Sequence, residues 1–62
     1  MVDKWEADYT RGWTEGVALF KGDKSAALAF RSRYLADADP RAYDMGKSDA
    51  ISELRAYDYL RA

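Results

Sequence analysis

Sixty-two residues, with ten Lys and Arg against eleven Asp and Glu and neither His nor Cys, make a small chain of net charge −1. So even a balance argues against a general binder of phosphate backbones, which carries a clear basic excess. Acids interspersed with bases do not make a DNA mimic either, and the missing thiols and imidazoles exclude disulfides, ordinary zinc sites and His or Cys catalysis.

A chain of this length buries only about 60% of the surface its unfolded form exposes, and it usually needs an added staple. With 48% apolar residues and nine aromatics it has enough material for a core. Efficient helix packing or a second copy of the chain must therefore supply the stability, and a homodimer is an expected alternative. Met1 to Glu6 show no basic head followed by an apolar run, and the longest apolar stretches, Val17 to Phe20 and Ala26 to Phe30, are far short of a bilayer span. The reading is a soluble, cytoplasmic protein with no membrane segment, and the absence of cysteine suits a reducing compartment.

The first helix is expected over about residues 3–21. Asp3 and Glu6 have the spacing of a capping box, and Trp5, Tyr9, Gly12, Trp13, Gly16, Val17 and Phe20 recur on one helical face. Lys4–Asp8 and Arg11–Glu15 are i,i+4 ion pairs placed on its outer surface. Lys21-Gly22-Asp23 ends it, with Gly22 free to take a positive φ.

A second helix follows over about 24–36, with Asp23 or Ser25 as its N-cap and Ala27, Leu28, Phe30, Arg31, Tyr34 and Leu35 facing inward. Lys21, Lys24, Arg31 and Arg33 against Asp23 give this stretch a local charge of +3. Asp39-Pro40 opens a third helix over about 40–60, since Asp39 is a good cap and Pro40 sits where its missing N–H costs nothing. Tyr43, Gly46, Ala50, Ile51, Leu54, Tyr57 and Leu60 mark its inner face. No stretch of useful length has strand periodicity. The expected fold is all-α, one compact three-helix domain.

The outer helices repeat one another. Tyr9-Thr10-Arg11-Gly12-Trp13-Thr14-Glu15-Gly16-Val17 sets against Tyr43-Asp44-Met45-Gly46-Lys47-Ser48-Asp49-Ala50-Ile51 at an offset of 43 − 9 = 34 residues. An aromatic followed three and seven residues later by small residues leaves a shallow groove on a helix. Glycine inside a helix costs about 1 kcal/mol against alanine, so something must offset it. Pairing of the two helices across Gly12, Gly16, Gly46 and Ala50, with Tyr9, Trp13 and Tyr43 packed around them, is the first reading. A backbone surface bared for an outside partner is the second.

At these residues the chain resembles the ribosome modulation factor family and its small relatives. Arg11-Gly12-Trp13-Thr14-Glu15-Gly16 is similar to the family's first-helix motif, and Tyr43-Asp44-Met45-Gly46 with Ala50 to the second. The match covers about a third of the chain. It implies an architecture of paired helices and, as an alternative function, association with a ribosome or nucleic acid. The family's Cys-Pro-Tyr-type linker and basic character are absent, and residues 23–36 read as an additional helix.

Candidate chemistry is sparse. Asp49 and Glu53 are i,i+4 neighbours among Lys47, Ser48, Ser52 and Arg55, and read as a solvated face. Asp37 and Asp39 read as a turn and a cap, and Lys21-Gly22-Asp23-Lys24-Ser25 lacks the upstream glycines and strand of a phosphate loop. No catalytic residue, metal ligand or cofactor is expected, and the chain reads as a non-enzyme. Lys24, Arg31 and Arg33, near Phe30 and Tyr34, are the candidate nucleic-acid contacts, which the net charge disfavours. Trp5, Tyr57 and Tyr59 lie near helix ends where a small core runs out, and are the candidate protein contacts. A small protein-binding regulator or inhibitor is the functional expectation.

Overall fold

A computed structural model describes residues 3–61, and within them every regular element is helical. Helix α1 spans Lys4–Phe20 and α2 Lys24–Tyr34; a 3-10 turn at Leu35–Asp37 leads to α3, Pro40–Arg61. The body measures 38 × 25 × 18 Å. No helix among the described residues is long and apolar enough to cross a membrane.

The stops are local chemistry. After α1, Gly22 takes φ 81°, so the Asp23 amide donates to Ala18 and the Gly22 amide to Leu19. That is the double closure that satisfies the last carbonyls of a helix. Asp23 then caps α2 by accepting from the Ala26 amide at 3.0 Å, and Asp39 accepts from the Arg41 amide at 2.9 Å at the start of α3. Asp3 occupies the N-cap position of α1 without a side-chain cap, so the expected capping box does not form; its carbonyl accepts from Ala7 instead. The second helix ends two residues sooner than expected, with Leu35 and Ala36 in the 3-10 turn.

Helix α2 returns antiparallel along α1, bringing Arg31 to Glu15 and Tyr34 to Arg11. Helix α3 then runs parallel to α1: Asp39 meets Asp8, Tyr43 meets Gly12 and Lys47 meets Gly16. The α1–α3 contact is the principal one in the molecule, and α2 packs on α1 while scarcely touching α3.

Small residues make the α1–α3 seam. A β-carbon on Gly12 would collide with the Tyr43 carbonyl, and one on Gly46 with the Tyr9 carbonyl. One on Gly16 would lie 2.6 Å from the Lys47 carbonyl oxygen and 2.9 Å from the Ala50 Cβ. Close backbone approach gathers dispersion contacts that larger side chains would hold apart. The core is correspondingly lean: Ala27, Ala42, Tyr43 and Ala50 are its buried apolar residues. Trp13 and Tyr9, expected inside, are half-buried. Leu28, also expected inward, is 65% exposed, because a seam this tight leaves α2 one neighbour to bury against.

Candidate functional site

The repeat at offset 34 becomes a pseudo-two-fold relation between α1 and α3. Gly12 abuts Tyr43 as Gly46 abuts Tyr9. The Tyr43 hydroxyl donates to Glu15 at 2.7 Å, and the Tyr9 hydroxyl donates to Asp49 at 2.6 Å. Each pair maps onto the other by adding 34 to its α1 member and subtracting 34 from its α3 member, which is the signature of an isologous contact. The pair of helices therefore has two equivalent sides.

One side is covered. Helix α2 lies on it, with Ala27 buried and Glu15 only 2% exposed. Besides the Tyr43 hydroxyl, Glu15 has Lys47 at 3.6 Å and Arg31 at 4.0 Å. A buried carboxylate is tolerable because these donors and cations surround it. Burial, and then the Glu15 carboxylate, push the Tyr43 phenol far above its ordinary value. A cleft of about 320 Å³ remains between α2 and α3, lined by Glu15, Leu19, Leu28, Lys24, Arg31 and Lys47.

The other side is open. Tyr9, Asp49, Ser52, Glu53 and Ala56 line a groove of about 400 Å³ along α3. Asp49 and Glu53 stand 34 residues after Glu15 and Leu19, which line the covered cleft. Along the α1 edge, Trp5 stacks on Tyr9 with ring centroids 5.5 Å apart, and Tyr9 leans on Trp13 at 6.2 Å. The hydrogen bond to Asp49 raises the Tyr9 phenol above its ordinary value. Among the described residues, Asp49 and Glu53 have no ion-pair partner. The open side thus presents an aromatic ladder beside uncompensated acids.

A third feature sets the register. Asp8, 1% exposed, accepts from Lys4 at 2.8 Å and from the Asp39 amide at 2.9 Å, while Lys4 also donates to the Asp37 carbonyl. The Asp39 amide and Lys4 hold the Asp8 carboxyl below the usual carboxylate range. This ties the start of α1 to the start of α3. The expected surface pairs are corrected accordingly: Lys4–Asp8 forms, but Asp8 is buried, and Arg11 turns to Asp8 at 3.7 Å while Glu15 takes Lys47 and Arg31. Periodicity within α1 could not reveal this, because α2 and α3 approach that flank from elsewhere in the chain. A usable signal was present in the repeat, where an acid follows each tyrosine by six residues.

The residues singled out from sequence do not converge on one surface. Trp5, 43% exposed, joins the ladder on the open side. Lys24 and Arg31 line the covered cleft, and Arg33 lies 5.4 Å from the ring centroid of Tyr34, which also carries the Arg11 guanidinium at 4.7 Å. Tyr57 and Tyr59 stand on the last turns of α3, beyond the reach of α1, and Tyr59 is 82% exposed. No cluster of three or more acids among the described residues could hold a metal ion. Comparison with protein-family models, with curated proteins and with solved structures finds no match to this chain.

Proposed function

We propose that this chain is a non-enzymatic binding module that docks on a larger protein, in the manner of a small cytoplasmic regulator or inhibitor of bacterial or phage type. The observation that carries the reading is the unequal treatment of two equivalent sides of one helix pair. Helix α2 covers the Tyr43–Glu15 side, while the Tyr9–Asp49 side, with Trp5 and Trp13 along its edge, has no cover among the described residues. Tryptophan and tyrosine at the rim of such a surface supply large contact area at small entropic cost, which is why they dominate interface energetics.

The alternative, a ribosome- or nucleic-acid-associated modulator, draws on the basic segment of α2. Its support is weaker, because Arg31 faces the buried Glu15 and Arg33 stacks on Tyr34. The discriminating experiment is affinity capture from bacterial lysate, with and without nuclease, using the native chain and Trp5→Ala. One stoichiometric protein that survives nuclease and is lost with Trp5→Ala is the expected result. Recovery of RNA or ribosomal proteins that disappears with nuclease would overturn the reading in favour of the alternative. Recovery of an untagged copy of the chain that is lost with Trp5→Ala would identify the open side as a homodimer interface.

A further inference from the structure

Resting on that binding-module reading, we propose that the open side receives a basic helix of the partner, laid antiparallel to α3 in the position that mirrors α2 across the pseudo-two-fold axis. The molecule already contains a helix seated on the equivalent surface. Helix α2 runs antiparallel to α1, buries Ala27 and reaches Glu15 with Arg31, four residues further on. Adding 34 carries Glu15 to Asp49 and Leu19 to Glu53, and so carries the seat of α2 onto the groove along α3.

Three observations specify the occupant. First, the groove is acidic where its counterpart is compensated: Asp49 and Glu53 have no cation among the described residues, whereas Glu15 has two within 4.0 Å. A helix bringing Arg or Lys at i and i+4 would restore the arrangement of the covered side. Second, the Trp5–Tyr9–Trp13 ladder supplies apolar surface along the opposite wall for the long stems of such side chains. The same acids disfavour a phosphate backbone in this groove. Third, the groove floor at Ser52 and Ala56 is shallow, so the approaching face of the partner helix carries a small residue, as α2 does at Ala27.

The probe is a synthetic peptide of the chain's own residues 23–36, which carries Lys24, Ala27, Arg31 and Arg33 in a helix-forming context. It is titrated into the full ¹⁵N-labelled chain, and the Trp5 and Trp13 indole N–H resonances are followed. The expected result is saturable movement of both indoles below about 1 mM peptide, the threshold of weak specific binding. The affinity should fall about tenfold with Glu53→Lys and decline with added salt, as rim charges require. An Arg31→Glu peptide should leave the indoles unmoved. Glu53 is exposed, so its reversal should keep the helical circular dichroism, which is checked alongside.

Absence of any indole shift at that concentration would overturn the proposal. So would shifts confined to the Glu15 and Lys47 amides, which report the peptide replacing α2 on the covered side. Affinity indifferent to Glu53→Lys, or an RNA oligonucleotide moving the same indoles, would also sink it. If the peptide fails while Trp5→Ala still loses a captured protein, the binding-module reading stands and the basic-helix class is wrong. If both fail, both readings fall together.

Discussion

The two sides of the α1–α3 pair carry the same motif and live in different environments. On one, a tyrosine hydroxyl meets a carboxylate under the cover of α2, with Lys47 and Arg31 close by. On the other, the equivalent hydroxyl and carboxylate meet at nearly the same distance in the open. Local sequence supplies the motif twice; the position of a third helix decides which copy becomes core. A tyrosine–carboxylate bond therefore has no fixed structural worth. Its contribution depends on how much water the rest of the chain removes from around it.

The sharpest way to break the comparison is to open the seam both sides share. Gly12→Ala and Gly46→Ala each remove an intrinsic helix penalty of about 1 kcal/mol, yet each should destabilise by about 3 kcal/mol, because the new methyl meets backbone that cannot move aside. Urea denaturation followed by circular dichroism gives the sign, and a stabilised Gly12→Ala would mean that the seam is not closed. Gly16→Ala should cost less, since part of its conflict is with the Ala50 methyl.

Next in size is the contrast between the tyrosines. Tyr43→Phe should cost about 1–2 kcal/mol, the loss of a buried hydrogen bond to a charged acceptor. Tyr9→Phe should cost measurably less in the same titration, as its bond is exposed. Equal losses would show that α2 does not differentiate the two sides.

Alkaline titration refines the same contrast. Both phenols are raised above the ordinary tyrosine value, so the unfolded chain releases these protons first. Stability should be fully present below about pH 10 and decline as pH rises above it. Tyr43→Phe should remove most of that slope and Tyr9→Phe little of it.

The smallest expected effect lies at the acid end. Asp8 is held below the usual carboxylate range, so its stabilisation is present above that range and is lost as pH falls through the lowered value. Asp8→Asn should flatten the acid limb of a stability-versus-pH curve, and an unchanged limb would show that the Lys4–Asp8–Asp39 tie carries no charge-dependent stability.

Much of the fold was legible in the residues. The stop at Gly22, the cap at Asp23 and the start at Asp39-Pro40 are readable because each closes hydrogen bonds within a few residues of itself. The small-residue pairing was readable because the motif occurs twice. The capping box at Asp3 and Glu6 was not realised, although its spacing was correct. At the candidate site, Trp5 could be picked out by its place near a helix end. Glu15 could not, since a charged residue at i+4 from an arginine reads as surface whenever neighbouring helices are unknown.

By itself the sequence determined that this chain forms three helices, that the first stops at Gly22, and that the outer two carry matching grooves of small residues. Those properties follow from short-range capping, glycine geometry and helical period. The tertiary structure decided that the matched helices run parallel, that Glu15 and Asp8 are buried, that Leu28 is left in water and that one side of the pair remains open. These depend on which side of α1 the returning chain occupies, and a single helix can shield one of two equivalent sides.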